Sequence, residues 1–218
     1  MEKGRRYSIV ASAIIVVLII LDQILKIWVK THLALGETIP LLGNWLNLYF
    51  VENPGMAFGL SFGQNFGKLM LTLLRVVLVA FLCWYMHRLI KRDKMDTPVL
   101  ITFCLIIAGA LGNIIDCMFY GVIFNESTPL AVAAMFPEGG GYAPFMYGKV
   151  VDMIYVRLFP IPESFPLWGG TYFFPAIFNF ADSCVTVGVA LVIIFNKRIF
   201  KEEPKEIETG DYRPETED

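Results

Sequence analysis

Charge is scarce in this chain. Asp, Glu, Lys and Arg make up 17% of its 218 residues, and histidine occurs only at His32 and His87. That scarcity removes several chemistries. No serine–histidine pair is available, no cysteine stands beside a histidine as a nucleophile, and no glycine loop opens a helix to cradle phosphate. The four cysteines, Cys83, Cys104, Cys117 and Cys184, lie in or at the edge of apolar runs. They read as free thiols acting as small apolar side chains, neither a disulfide framework nor a metal site. No cofactor and no nucleic-acid partner is expected. Solenoid-type repeats are absent as well.

Apolar residues, by contrast, reach 56%, more than a soluble domain of this length requires. Four runs approach the roughly 20 residues that a helix needs to cross about 30 Å of hydrocarbon. They cover residues 8–29, 69–89, 99–115 and 174–195. Backbone groups in lipid must be satisfied internally, so these are expected as helices. The first run has a basic start, but no small-residue cleavage site follows Leu21, so it reads as an uncleaved helix.

Basic residues sort by connection. Lys3, Arg5 and Arg6 precede the first run, Arg88, Lys91, Arg92 and Lys94 fill the short second connection, and Lys197, Arg198, Lys201 and Lys205 follow the fourth. By the positive-inside rule both termini are cytoplasmic and the two long connections face outward, which places His32 and His87 on opposite sides. One membrane-embedded domain over 1–200 is expected, with 201–218 as a disordered cytoplasmic tail. In the first outer connection, "WLNLYFV" and "MAFGLSF" flank the turn signal "ENPG", which predicts a β-hairpin. It is too apolar for free solution and is expected on the membrane surface or over something within the spans.

The informative residues are the polar ones inside the runs. Asp22 lies roughly 21 Å from the inner edge, Asp116 roughly 26 Å, and Asn179 and Asp182 roughly 8–12 Å below the outer edge, at 1.5 Å per residue. Three helices thus bring carboxyl groups to one level. "GNIID" and "FNFAD" each set an amide and an acid at i,i+3, Asn113 with Asp116 and Asn179 with Asp182, so each pair shares a face. Asp22 and Lys26 can pair at i,i+4. Each charge in the hydrocarbon core costs about 2.5–3.5 kcal/mol on insertion scales, so several at one depth imply a polar site. Singly, Asp22–Lys26 reads as structural, the amides as helix–helix glue, and Asp152 as a loop carboxylate. Two acids sharing a proton could hydrolyse a peptide bond; the same acids could also carry ions or protons. The residues alone leave peptidase and transporter open, with a lipid-binding assembly factor as a third class. The inner halves of the runs hold no acids, which counts against transport.

Five segments in order, "DQILKIWV", "ENPGMAFG", "GALGNIID", "KVVDMIYV" and "FNFADSCVTVG", resemble bacterial lipoprotein signal peptidase, signal peptidase II. The resemblance runs from about Asp22 to Phe195. It implies an all-α membrane protein of four spans with a small periplasmic β-cradle and a periplasmic cover between the third and fourth. The implied activity is an aspartic endopeptidase of the inner membrane that cleaves prolipoproteins just before a diacylglyceryl-modified cysteine. Membrane lipids and globomycin-type inhibitors are implied partners, and a monomer is expected. Asp152 and Asp182 take the catalytic positions, with Asp22, Lys26, Asn53, Gly55, Asn113, Asp116 and Asn179 lining or bracing the site. Two departures stand out. The family's usual Arg after the third-helix acid is here Cys117, a gap that Arg75 on the neighbouring helix is expected to fill. In addition, the 27 residues 122–148 intervene before "KVVD", expected as a lid of short helix plus loop.

Overall fold

The computed structural model describes residues 2–43, 45–54, 64–167, 169–173 and 176–200. Helix α1 spans Glu2–His32, α2 Gln64–Lys91 and α3 Thr97–Ile115. Asp96 caps α3 by accepting from the Val99 amide at 2.9 Å, with Pro98 in the first turn, where a missing N–H costs nothing. The α3 helix runs on through a π-helical turn, Asp116–Tyr120, into the single turn α4, Gly121–Ile123. Three helical stretches, Glu2–His32, Gly67–Lys91 and Thr97–Ile123, are long and apolar enough to cross a membrane. They contain the first three expected runs and extend beyond them.

The fourth run is not one helix. Ile177–Phe178 form a short strand, and helix α5 begins only at Phe180 and ends at Ile194, followed by the turn α6, Asn196–Ile199. The cause is local. Asn179 accepts from the Asp182 amide at 2.8 Å, and the Asp182 carboxylate accepts from the Asn179 amide at 3.2 Å, a reciprocal cap that stops the helix there. Upstream, the backbone finds partners in a sheet instead. Fifteen residues give α5 roughly 22 Å of length, short of about 30 Å of hydrocarbon.

Nor is the fold all-α. Strands β1 (Thr38–Leu42), β2 (Leu46–Asn53), β3 (Val150–Val156) and β4 (Ile177–Phe178) form an antiparallel sheet in the order β1-β2-β3-β4. "WLNLYFV" therefore pairs with β1 and β3, while Met56–Phe62, the expected second hairpin strand, lies outside the described residues, as do Gly55 and the tail 201–218. "VVD" is in a strand, not a loop. Register sets Val51 opposite Asp152 and Ile154 opposite Phe178. Alternation along β3 turns Val151 and Met153 into a core with Val29, Leu33, Phe50, Tyr120 and Phe124, and turns Asp152 the other way.

Between α4 and β3 no helix forms among residues 124–149, against the expectation of a helix plus loop. The segment instead supplies amides to carbonyls in the last turns of the α3–α4 run. Gly148 donates to the Cys117 carbonyl at 2.8 Å, Met146 to Met118 at 3.1 Å, and Ala143 to Gly121 at 2.9 Å.

The α3 helix packs against α1, α2 and α5 and is mostly covered, whereas α1 and α2 leave broad apolar faces bare, including Ile9, Val16, Val17, Leu74 and Val77. Such faces suit lipid contact. Close approach of α3 and α5 depends on glycine. A Cβ at Gly109 would stand 2.3 Å from the Ala181 carbonyl oxygen, and one at Gly188 would stand 2.5 Å from Ile106 Cγ1. Gly109→Ala is therefore expected to lose about 1–3 kcal/mol through overpacking, read as a lower unfolding temperature in detergent. Gly139→Ala, with nothing within 4 Å, should leave that temperature unchanged.

Candidate active site

The site is built outward from Lys26, whose side chain is fully buried. An ammonium has three donors, and here each has an acceptor: Asp22 Oδ2 at 2.9 Å, Asp116 Oδ2 at 2.8 Å and Asn113 Oδ1 at 2.8 Å. Sequence depth thus correctly brought Asp22 and Asp116 together. Asp22 has a second task. Its Oδ1 accepts from the Ala181 amide at 2.9 Å, satisfying a first-turn donor of α5. Gly112 leaves the room, since a Cβ there would lie 2.5 Å from Asp22 Oδ2.

Because Asn113 turns its oxygen toward Lys26, its Nδ2 is left to donate to Asp182 Oδ1, at 2.8 Å. Asn179, fully buried, uses both amide hydrogens. Its Nδ2 donates to Asp152 Oδ1 at 2.7 Å and to Asn113 Oδ1 at 3.1 Å, while its own oxygen caps α5. One side chain therefore bridges the strand carboxyl and the helix that carries Asp182. Asn53 of β2 also hydrogen-bonds the Asp152 carboxyl. Burial, then the nearby negative charge of Asp182, pushes the Asp152 carboxyl up to about 7, against the lowering pull of Asn179, Asn53 and Lys26. Asp152 is buried, whereas Asp182 is half-buried and open to an incoming group.

Of the residues named from sequence, Asp22, Lys26, Asn53, Asn113, Asp116, Asn179, Asp152 and Asp182 form one connected polar cluster. Gly55 lies outside the described residues. Arg75 forms no ion pair with a carboxyl among the described residues, and its Nη1 lies 3.7 Å from Cys117 Sγ. Gln23 was missed. It donates to Asp116 Oδ1 at 3.0 Å, to Asp22 Oδ2 at 3.1 Å and to the Gly112 carbonyl at 3.2 Å, and it accepts from the Tyr120 hydroxyl at 3.0 Å. Its position next to Asp22 was the available signal. Asp116 Oδ2 also lies 3.4 Å from the Val151 amide, directly beside Asp152. Among the described residues, no group of three or more His, Cys, Asp or Glu is placed to hold a metal ion.

Two carboxyl groups with electrostatic contact, each fixed by an amide donor and one raised toward neutrality, can divide general acid and general base work. Comparison with known proteins gives the family. The family model described as signal peptidase (SPase) II matches residues 14–197. A lipoprotein signal peptidase of Porphyromonas gingivalis is 44% identical over 189 residues, covering 85% of this chain and 81% of that protein. One of Amoebophilus asiaticus is 36% identical over 192 residues, covering 85% of this chain and 76% of its own. A bacterial membrane enzyme solved by the in meso method at 1.9 Å is 26% identical with a TM-score of 0.57, covering 85% of this chain and 90% of that one. With its apolar helices and this match over most of its length, the chain is a bacterial membrane protein belonging to the signal peptidase II family of proteases.

Proposed function

We propose that this protein is a membrane aspartic endopeptidase that removes the signal peptide from prolipoproteins just before the diacylglyceryl-modified cysteine. The observation that carries the reading is the Asn179 bridge, which holds Asp152 and the first turn of α5 in one hydrogen-bonded unit. Asp182 takes a proton from the attacking water. Asp152, holding the shared proton, polarises the scissile carbonyl and then gives that proton to the leaving amine. Four spans, with the short α5 as the fourth, put both termini in the cytoplasm and the site near the periplasmic face. The substrate's signal helix and acyl chains enter sideways from lipid. Globomycin-type cyclic peptides should occupy the same place, and a monomer suffices, because the donors to both carboxyls come from one chain. Transport is disfavoured, because Asp22 and Asp116 are engaged by Lys26, Gln23 and the α5 amide.

A gel-shift assay with a lipidated prolipoprotein tests this. Asp152→Asn and Asp182→Asn should each lower processing by about 10³-fold or more while the protein still inserts and folds. Normal processing by either variant would remove the assignment.

The pH dependence has a definite sign. The working form carries a proton on Asp152, so kcat/KM should fall as pH rises through about 7. A rate that keeps climbing between pH 6 and 9 would show that another group holds the proton; those limits are about one to two units around the Asp152 value.

Arg75 offers a cation where Cys117 stands after Asp116, and its guanidinium reaches the Cys117 sulfur. Arg75→Leu is expected to lower cleavage about tenfold, equal to about 1.4 kcal/mol of transition-state stabilisation. Full activity in a correctly inserted variant would show that the cation is not needed.

A further inference from the structure

Behind the sheet lies a second buried charged cluster that the cleavage chemistry does not use. Lys30, fully buried at the end of α1, pairs with Glu52 of β2 and with Ser127 Oγ at 2.8 Å. Ser127 itself donates to Glu52 Oε1 at 2.8 Å, and Lys149 Nζ lies 3.2 Å from Glu52 Oε2. The Phe124 and Tyr142 rings flank Lys30 at 5.3 and 5.2 Å, and Tyr142 also faces Lys149 at 5.2 Å. At the rim, Lys149 reaches Glu126 at 3.1 Å. Burial alone would raise the Glu52 carboxyl, but Lys30, Ser127 and Lys149 together hold it below the usual range.

Strand geometry gives this cluster a route to the site. Glu52 stands opposite Val151, on the sheet face turned away from Asp152, while its neighbour Asn53 stands opposite Val150 and hydrogen-bonds the Asp152 carboxyl. Fixing Glu52 from behind therefore fixes where Asn53 presents its donor in front. The other end is fastened too. Just before β3, the Lys149 amide donates to the Tyr142 hydroxyl at 2.6 Å and the Gly148 amide donates to the Cys117 carbonyl at 2.8 Å.

We propose that Lys30, Glu52, Ser127 and Lys149 form a brace that positions Asn53 against Asp152, so that the connection between α4 and β3, which carries Ser127 and Lys149, governs the rate of cleavage from behind the sheet. These are positioning residues, none touching the substrate. The proposal rests on the reading of Asp152 as a member of the catalytic pair, and it makes the segment a strut for the strand pair. A cover over the site would govern substrate retention and so KM; a strut governs kcat.

The test uses the full chain purified in detergent, with a lipidated prolipoprotein as substrate. Ser127→Ala combined with Lys149→Met removes two of the three groups that hold Glu52. Expected is a fall in kcat of about tenfold with KM within about twofold. The limb of kcat/KM near Asp152's titration should also move to higher pH, because Asn53's hydrogen bond pulls that group down. Glu138→Gln, an exposed charge in the same segment, should behave as wild type. Should the double variant fail to fold, Ser127→Ala alone decides the matter through a smaller drop of the same form. A folded variant with unchanged kcat and pH limb, or one in which only KM rises, overturns the brace. The underlying reading fails by a different sign: an active Asp152→Asn protein, whatever the brace variants do.

Discussion

Everything in this site depends on one buried ammonium. Lys26 is fully buried, so an unmatched donor there would forfeit several kcal/mol. Its three hydrogens meet Asp22, Asp116 and Asn113, and no capacity is left over. That saturation has a directional result. An Asn side chain can turn end for end at little cost in empty space, but Asn113 cannot, because only its oxygen can face Lys26. Its nitrogen must then face Asp182. Asn179 is fixed by the same logic, with its oxygen committed to the α5 cap and both hydrogens committed to Asp152 and Asn113. A cation on the first helix thereby sets the hydrogen-bond polarity around two carboxyl groups that it does not itself bind.

The same residues also hold the fold. Asp22 accepts from the start of α5, Asp116 reaches the β3 backbone, and Asn179 ends the strand and begins the helix. Without them the α5 amides would point into an apolar surrounding unpaired, at about 1–3 kcal/mol each. Glycines at 109, 112 and 188 let α5 come close enough for these bonds to form. Stability and chemistry are therefore not separable by residue in this cluster, and loss of activity in any of these variants has to be read beside a measurement of folding.

Much of this was legible in the sequence, and the reasons for the remainder are physical. Helical periodicity and depth are one-dimensional quantities, so they set Asp22, Asp116 and Asp182 on one level, put an amide on the face of Asp116 and of Asp182, and put Lys26 beside Asp22. Asp152 sits on a strand, where neither rule applies, and only the "KVVD" resemblance singled it out. Hydropathy cannot see a boundary set by side-chain hydrogen bonds, which is why the run from Phe174 read as one helix although β4 and the Asn179 cap divide it. Gln23, Glu52 and Lys30 were overlooked for a related cause: each gains its meaning from partners 20 to 100 residues away, among them Asp116, Ser127 and Tyr120. The segment 122–148 looked like a cover because it is long and rich in Gly and Pro; its amides in fact complete the end of the α3–α4 run.

The division of the fourth run has its own chemical logic. Had the helix continued upstream, Asn179 would sit inside it, with its amide bonded to a carbonyl four residues earlier. It could not then be the cap, and the strand register that carries Ile154 opposite Phe178 would be lost. Moving the helix start by one residue would swing Asp182 by about 100° around the axis, away from the Asn113 donor. A single break between β4 and α5 thus fixes three things together: the direction of Asp182, the reach of Asn179 to Asp152, and the shortness of α5. On this view the shortness of α5 is a requirement of the paired carboxyls, because one acid must come from a strand and the other from a helix's first turn for one asparagine to join them.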